Sequence, residues 1–367
     1  MTPILFVSWF AWTALVFASI CLLEKLIIKT DAPSALFLAC VLKLLAASGI
    51  AYLIMAVNHF LSWRAGYPLG ALYIVLMAMA GTDLIRGIFV LVSGRRPSKR
   101  AVTALRCIVA AGIFLWGTVN MQIISPLEHT YTSPKVEQPH TFVFISDIHY
   151  GSAQDPAVVR KALEEVEELG PEFIILGGDI TDEFTTKEEM LEIYRLFGQM
   201  DIPVYYVYGN HDRQPDADIL GGASYSPLEL EQAITGFGIR ILRDEWVYAA
   251  PGVVLVGRED ISDSGRTDLS ALPQRPEDAY VIWIDHSPYQ DDETASSGAD
   301  LQLSGHSHAG QLFPLRTVYR LGLRCIWGDY LVGTTRVYVS SGFGGWYIPY
   351  RTEKTCHYEV ITIMPAQ

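Results

Sequence analysis

The first 124 residues contain four apolar runs, each long enough to cross a lipid bilayer. They cover residues 3–23, 34–57, 67–92 and 101–124, and a helix needs about 20 residues to span the hydrocarbon core. Runs of this length with so few charges are unusual in soluble domains, although a buried helical core is the alternative. No basic residue precedes Glu24, so a cleaved signal peptide fits poorly. We therefore predict an N-terminal transmembrane bundle of four helices.

The connecting segments predict how this bundle is oriented, because Lys-rich and Arg-rich loops stay in the cytoplasm. Residues 93–100 hold four basic side chains, and the first connection holds Lys25 and Lys29, whereas the second holds only Arg64. The first and third connections are therefore expected to be cytoplasmic. The sequence predicts a multi-pass protein of the plasma or inner membrane, with everything after residue 124 outside the cytoplasm.

Four ionisable residues lie inside the predicted spans. Asp83 and Arg86 stand three positions apart, where they can pair on one helix face, whereas Lys43 and Arg106 have no obvious local partner. Ionisable groups at this depth often mark a transport pathway or a ligand site. A structural ion pair with long cationic side chains that reach the interface is the alternative.

Charge and cysteine content limit what the remaining residues can do. The chain has 27 Lys and Arg and 40 Asp and Glu, of which 10 and 4 precede residue 131, so the two parts carry +6 and −19. Nucleic acid is an unfavourable partner for so acidic a domain, because binding to phosphates depends on cationic side chains. The sequence contains no CxxC zinc pattern. A Cys325–Cys356 disulfide and two free thiols both remain open.

The pattern changes after the last apolar run. Residues 125–139 contain three prolines and read as an extended linker. From residue 140 to 367, short apolar strands alternate with amphipathic helices, as in an α/β layered domain. The later strands have fewer helices between them, which predicts an α+β sandwich of two mixed sheets flanked by helices.

Five clusters of Asp, Asn and His follow predicted strands of this domain. They are Asp147-Ile-His149, Gly177-Gly-Asp-Ile-Thr-Asp182, Gly209-Asn-His-Asp212, Asp285-His-Ser-Pro288 and Gly305-His-Ser-His308. Each cluster alone is typical of a turn or a helix N-cap. Together they place metal-binding side chains at the strand ends, where ligands bind in open α/β sheets. Mixed carboxylate and imidazole ligands favour Mn, Zn or Fe over Ca.

In their order along the chain and in their residue types, these clusters resemble the motifs of the calcineurin-like metallophosphoesterase superfamily. The tail Ser341-Gly-Phe-Gly-Gly-Trp-Tyr-Ile-Pro-Tyr-Arg351 is similar to the ending of its membrane-associated bacterial branch. The resemblance covers about residues 142–351 and leaves out the four spans. It implies a hydrolase that cleaves phosphate ester or pyrophosphate bonds with a hydroxide bridging two divalent metal ions.

The resemblance also implies a role for each motif residue. One metal would be held by Asp147, His149, Asp179 and His308, and the second by Asp179, Asn210, His286 and His306. Asp179 would bridge the two ions, since a carboxylate has two oxygens to share. His211 would face the substrate, where it stabilises the phosphorane-like oxygens or protonates the leaving oxygen. Asp182 would orient His211 through a hydrogen bond.

The substrate is set by loops that the motifs do not define. Residues 213–227 and 313–332 are candidate rims of the site, and the second range mixes cationic with apolar side chains, among them Leu321, Leu323, Arg316, Arg320, Arg324 and Trp327. Such a mixture beside a membrane predicts a phosphorylated lipid as substrate and membrane lipid as a partner. A surface excursion packed on the domain is the alternative. For the whole chain, the alternative function is a signalling or transport membrane protein with a non-catalytic metal-binding domain.

Overall fold

The computed structural model describes residues 66–217, 222–322 and 325–366. The chain divides into two compact units, Met1–Leu115 and Trp116–Gln367. The described helices are α1 (Gly66–Ser93), α2 (Lys99–Met121), α3 (Pro156–Leu169), α4 (Lys187–Gly198), α5 (Pro227–Gly236), α6 (Asp291–Ser297) and α7 (Leu315–Tyr319). The first two predicted spans, 3–23 and 34–57, lie outside the described residues.

Helices α1 and α2 match the third and fourth predicted spans. Tyr73–Ser93 and Lys99–Met121 are long and apolar enough to cross a membrane. Arg106 Nη2 of α2 lies 2.6 Å from Asp83 Oδ1 of α1, and Arg86 Nη1 lies 3.6 Å from the same oxygen. Arg106 therefore does have a partner, which is on the neighbouring helix and could not be identified from local spacing. This contact favours a structural ion pair, while Lys43 lies outside the described residues.

The second unit contains two mixed sheets, as predicted. The strands are β1 (Ile124–Ser133), β2 (His140–Ile145), β3 (Ile174–Leu176), β4 (Val204–Tyr206), β5 (Arg240–Ile241), β6 (Glu245–Ala250), β7 (Val253–Gly257), β8 (Tyr280–Ile284), β9 (Leu301–Ser304), β10 (Gly328–Val332), β11 (Thr335–Val339) and β12 (Cys356–Pro365). Their orders are β1-β12-β2-β3-β4-β5 and β10-β11-β9-β8-β7-β6. Strands β2 to β5 are parallel, as are β7, β8, β9 and β11.

Strand β1 corrects the predicted linker. Ile124–Ser133 pairs in parallel with β12 over its whole length, so that Ile124 is opposite Cys356 and Ser133 is opposite Pro365. Pro126 is tolerated because β1 lies at the edge of its sheet, where a strand can lose a backbone donor. Only residues after Ser133 connect β1 to β2. The prolines that suggested a linker therefore mark the start and end of an edge strand.

The alternation of side chains along the strands explains the layers. In β2, Val143 and Ile145 pack under helices α3 and α4, while Phe142 and Phe144 point into the apolar layer between the two sheets. In β8, Ile282 faces that layer from the second sheet. Successive strand residues face opposite sides, so each buried strand contributes to two layers. The result is the predicted sandwich, with helices covering the outer face of the first sheet.

The loop that connects β3 to α4 is fixed in the half that precedes α4. Thr186 caps α4 with a reciprocal capping box, in which its side chain accepts from Glu189 N and Glu189 accepts from Thr186 N. Gln214 Nε2 donates to the carbonyl oxygens of Asp182 and Thr185 at 2.8 and 2.9 Å. The acidic residues that precede the helix are thereby held in place.

Cys325 and Cys356 are buried, and no disulfide joins them. The disulfide left open by the sequence is therefore not formed. Cys356 begins β12 and packs with Met121 and Ala153, so its thiol acts as part of an apolar cluster.

Candidate metal centre

All five polar clusters lie directly beyond the carboxyl ends of parallel strands. The clusters follow β2, β3 and β4 of the first sheet and β8 and β9 of the second. Parallel strands end at one edge of a sheet, so the two sheets deliver their polar turns to a common place. The turns are sharp: five of the candidate ligands have positive φ, namely Asp147, His149, Asp179, His306 and His308. Non-glycine residues rarely adopt this conformation, and such strain concentrates at functional sites.

The first group consists of Asp147, His149 and His308, all buried. Their ligand atoms lie within 4.8 Å of one another. His308 Nε2 is 3.2 Å from His149 Nε2 and 3.4 Å from Asp147 Oδ1. Burial raises the pKa of Asp147, although His286 acts in the opposite direction. Burial thus disfavours the ionised form of this carboxyl, and a cation nearby would offset that effect.

The second group consists of Asp179, His286 and His306, with ligand atoms equally close. His286 Nε2 lies 3.0 Å from Asp179 Oδ2, and Asn210 Oδ1 lies 2.7 Å from His306 Nδ1. Burial alone would raise the pKa of Asp179, but His286 and His211 hold it well below its usual value. Asp179 is thus an anion at the centre of this group.

Asp179 also lies beside the first group. Its Oδ2 atom is 3.8 Å from His149 Nε2 and 3.0 Å from His286 Nε2, so one carboxylate is near histidines of both groups. Its Oδ1 atom accepts the backbone N–H of His211 at 2.9 Å. The arrangement suits the bridging role that the resemblance implied.

The chemistry of these residues fits divalent cations. Asp147 Oδ2 and His308 Nδ1 are buried atoms without a hydrogen-bond partner among the described residues. Two ligand atoms on opposite sides of a cation at ~2.1 Å are about 4.2 Å apart, which is compatible with the spacing within each group. Imidazole nitrogen together with carboxylate oxygen is a donor set for Zn, Mn or Fe. The structure therefore contains two candidate metal-binding groups, and Asp179 of the second lies next to His149 of the first.

Gly178 allows the two sheets to approach at this centre. Its φ is +88°, and a Cβ atom would lie 2.6 Å from the backbone nitrogen of Gly209 and 2.8 Å from His286 Nδ1. Any larger residue would push apart the turns that carry Asp179, Asn210 and His286. The glycine before Asp179 is therefore required by packing as well as by backbone conformation.

Asp212 ties the turns of the first sheet together, a role that sequence reasoning did not assign. Its buried carboxylate accepts the backbone N–H groups of Gly209, Asp179, Ile180 and Thr181 at 2.7 to 3.0 Å. Burial and the neighbouring Asp179 raise its pKa to about 6, and the backbone donors oppose this. Its position at the end of the Gly-Asn-His-Asp motif was the available signal.

The partner of His211 differs from the one predicted. Both carboxylate oxygens of Glu183 lie 2.9 Å from His211 Nδ1. Asp182 instead contacts His149, with Oδ2 3.0 Å from Nδ1, and accepts from Ser152 Oγ at 2.6 Å. The prediction that Asp182 orients His211 is therefore wrong in this structure, because the two acids face different sides of their turn. Sequence reasoning missed Glu183, and its only signal was a second acid directly after the motif.

The Gly-rich tail forms a wall beside the site. The buried guanidinium of Arg351 donates to the carbonyl oxygens of His308 and Ser341 at 2.9 and 2.8 Å, and also to those of Gly344 and Lys354. Through this network the wall is fixed to a candidate metal ligand. The ring of Trp346 stacks on His211 with centroids 5.1 Å apart.

The end of α2 contacts the same wall. Arg351 N donates to Gly117 O at 3.1 Å, and Asn120 Nδ2 donates to Arg351 O at the same distance. The last turn of this apolar helix is therefore part of the unit that contains the site.

Comparison with known proteins agrees with this geometry. Residues 140–310 match the family described as calcineurin-like phosphoesterase. An uncharacterized metallophosphoesterase of Helicobacter pylori is 31% identical over 227 residues, which is 59% of this chain and 58% of that protein. The Danio rerio transmembrane protein with metallophosphoesterase domain is 27% identical over 326 residues, covering 82% of this chain and 73% of the relative. The metallophosphoesterase YkuE of Bacillus subtilis is 26% identical over 251 residues, covering 62% and 82%.

The chain contains a calcineurin-like phosphoesterase domain over residues 140–310, as the motifs indicated. It spans 58% of the length of the first Helicobacter relative that it matches. The family defines the fold and the reaction class of the domain, while the activity of the whole chain is a matter of proposal.

Proposed function

We propose that this protein is a membrane-anchored phosphoesterase that hydrolyses phosphate ester or pyrophosphate bonds with two divalent metal ions. One observation carries the proposal: Asp179, a member of the second group, also lies beside His149 of the first, and the ligands of the two groups come from both sheets. Asp147, His149, Asp179 and His308 would hold one ion, and Asn210, His286 and His306 would hold the second with Asp179. Mn, Zn and Fe all suit these donors.

When bound, two such ions activate water and neutralise charge on phosphate oxygens. The residues of the chain do the rest. His211, fixed between Glu183 and the ring of Trp346, would face the substrate and handle the proton of the leaving oxygen. The buried turns exclude bulk water from the ligands, which strengthens every electrostatic contact made there.

The first test is hydrolysis of p-nitrophenyl phosphate and bis-p-nitrophenyl phosphate by the purified chain with Mn, Zn, Mg or a chelator. We expect metal-dependent turnover that Asp179→Asn abolishes. The exposed Asp201→Asn serves as the matched control, since Asp201 is outside the site. Absence of turnover with two ions bound would contradict hydrolysis of these esters and favour a signalling or transport protein with a non-catalytic metal-binding domain. Absence of bound ions would overturn the two-metal proposal.

We further propose that four helices anchor the chain in the plasma or inner membrane and that the site is extracytoplasmic. The two described apolar helices and the basic 93–100 connection support this arrangement. Alkaline phosphatase fused to the C-terminus of the Asp179→Asn chain should be active, and the same reporter fused within 93–100 should be inactive. The opposite pattern would overturn the orientation.

The proposed substrate is a phosphoester linked to a lipid. Helix α7 begins seven residues after His308, and Phe313 before the helix and Leu321 after it are 53% and 87% exposed. Arg320 is exposed as well, whereas Arg316 lies 3.0 Å from Glu353. Together these side chains offer apolar contact with a bilayer surface and one cation for a phosphate. Leu323 and Arg324 lie outside the described residues.

The other candidate rim supports this choice less. Arg213 pairs with Glu259 at 2.7 Å and with Asp263 at 3.0 Å, so its charge is already neutralised. In the 313–332 rim, Trp327 is half-buried and covered by Lys354, whose Nζ lies 3.9 Å from the ring centroid. Trp327 is therefore not offered to lipid.

Leu321→Ser tests the lipid proposal, with the exposed Leu228→Ser as its control. In mixed micelles of detergent and phospholipid, Leu321→Ser should lower hydrolysis of a lipid phosphoester and leave bis-p-nitrophenyl phosphate unaffected. Turnover of soluble esters with none of any lipid phosphoester would overturn the lipid proposal and leave the phosphoesterase proposal intact.

A further inference from the structure

Two consecutive acids, Asp182 and Glu183, serve two different histidines. Asp182 Oδ2 is occupied by His149 Nδ1 and Ser152 Oγ, and its Oδ1 accepts the backbone N–H of Phe184 at 2.9 Å. Both oxygens of Asp182 are therefore engaged with partners other than His211. Glu183 is also buried, and both its oxygens meet His211 Nδ1 at 2.9 Å.

The imidazole of His211 is held from several directions. Trp346 stacks on its face with an interplanar angle of 26°, and the ring of His149 meets it edge-on at 5.7 Å. Its backbone N–H is bound by Asp179. Because Nδ1 is committed to Glu183, Nε2 is the ring nitrogen left to meet a substrate. An imidazole held in this way has one tautomer and one orientation available to it.

We propose that Glu183 is the positioning residue of His211, and that Asp182 with Ser152 positions the candidate metal ligand His149. This proposal rests on the proposed function. As hydroxide forms a new bond to phosphorus, the P–O bond to the leaving group breaks, and its electron pair goes to the leaving oxygen, which takes the proton from Nε2 of the imidazolium. Glu183 keeps Nδ1–H bound throughout and stabilises the imidazolium before the transfer. The neutral imidazole then regains a proton from solvent.

The two roles predict different defects in two neighbouring variants. Glu183→Gln should retain both ions and lose activity in proportion to how much the leaving group needs a proton. For a series of aryl phosphodiesters, we expect a loss of about 10²-fold or more with phenol as leaving group and under about tenfold with p-nitrophenol, since general acid catalysis contributes roughly 10² to 10⁴. Asp182→Asn should weaken binding of one ion by about 10- to 100-fold, with an equal loss for every leaving group at saturating metal.

The matched control is Glu188→Gln, because Glu188 is an exposed acid in the first turn of α4. This substitution should change neither the activity with any leaving group nor the binding of metal ions. Metal content of each variant is measured by mass spectrometry after dialysis against fixed free Mn or Zn. Glu183→Asp should restore part of the activity lost with phenol as leaving group, because it keeps the carboxylate. Equal losses across leaving groups in Glu183→Gln, or loss of an ion from it, would overturn the proposal.

A spectroscopic test does not depend on turnover. In the zinc-loaded full chain labelled with ¹⁵N-histidine, a proton on Nδ1 bound by a carboxylate should give a strongly downfield resonance. We expect the His211 resonance, assigned by its absence in His211→Asn, to disappear in Glu183→Gln and to persist in Asp182→Asn. The reverse result would assign His211 to Asp182. Because this readout requires no substrate, the pairing can fail or hold whether or not the chain hydrolyses phosphoesters.

Discussion

The two candidate metal-binding groups use the same residue types but are supported differently. In the first group, His149 has a carboxylate behind its Nδ1 atom, and the carbonyl of His308 is bound by the buried Arg351. In the second, His286 Nδ1 faces the carbonyl oxygen of Gly177 at 2.8 Å. His306 Nδ1 faces the amide oxygen of Asn210, and His306 is partly exposed.

This difference predicts unequal affinity for the two ions. A carboxylate behind an imidazole makes the ring a better ligand and fixes its tautomer, and removal of such support typically costs 10- to 100-fold in metal affinity. Partial exposure also gives the second ion a route to solvent. The two groups thus contain the same residue types, while the residues that hydrogen-bond to these ligands differ between them.

The largest expected effect comes from removing one histidine of each group. His149→Ala and His306→Ala should both lower activity by at least about 10³-fold, the scale on which one member of a catalytic unit matters. They should differ in metal content: His149→Ala loses the tighter ion, and His306→Ala loses the weaker one. Mass spectrometry of the metal content at low free Zn distinguishes the two variants. An equal loss of metal affinity in both would contradict the unequal affinity of the two groups.

Arg351→Lys should destabilise the first group. Lysine cannot reach all four carbonyl oxygens that Arg351 binds, and each buried acceptor left unpaired costs about 1–3 kcal/mol. We expect a loss of about 3 kcal/mol in the free energy of unfolding, measured by denaturant titration. Arg240→Lys is the control, since Arg240 is exposed. Unchanged stability in Arg351→Lys would show that the support of His308 is not structural.

Removal of metal by a chelator should occur in two steps. The ion of the second group should leave first, at a free metal concentration about 10- to 100-fold above that needed to empty the first. Competition with a fluorescent zinc chelator measures both steps. Asp182→Asn should merge them into one, because it removes the carboxylate that distinguishes His149. A single step in the wild type would contradict unequal support.

A further prediction concerns a buried acid near the first group. Burial raises the pKa of Glu359 to about 8, and the charge of Asp147 adds to this rise. Between about pH 5 and pH 8 the folded state therefore keeps a proton that the unfolded state has released, so stability falls as pH increases through this range. Glu359→Gln lacks this dependence.

Thermal unfolding of the metal-free chain checks this prediction. The melting temperature of the wild type should fall relative to Glu359→Gln from pH 5 to pH 8, with a constant difference above that range. Parallel curves would mean that Glu359 is ionised in the folded state, and that burial and the charge of Asp147 do not raise its pKa.

Much of the fold and the candidate site could be predicted because the signals are local. Strand β8 and helix α3 lie within residues 140–367, where the sequence predicts alternating apolar strands and amphipathic helices. The polar clusters could be placed at strand ends because each follows its strand directly in sequence. Strand β1 was missed because its partner β12 lies more than two hundred residues away, and the prolines at its ends suggested a linker.

The sequence by itself determined the chemistry of this protein: apolar runs of bilayer length, and Asp, Asn and His at the ends of strands. These properties follow from residue type and short-range order, which do not depend on how distant segments meet. Only the tertiary structure decided that Arg106 pairs with Asp83, that β1 joins β12, and that Glu183 rather than Asp182 meets His211. Neighbouring residues in a turn point in different directions, and what lies in each direction is fixed by the packing of the two sheets.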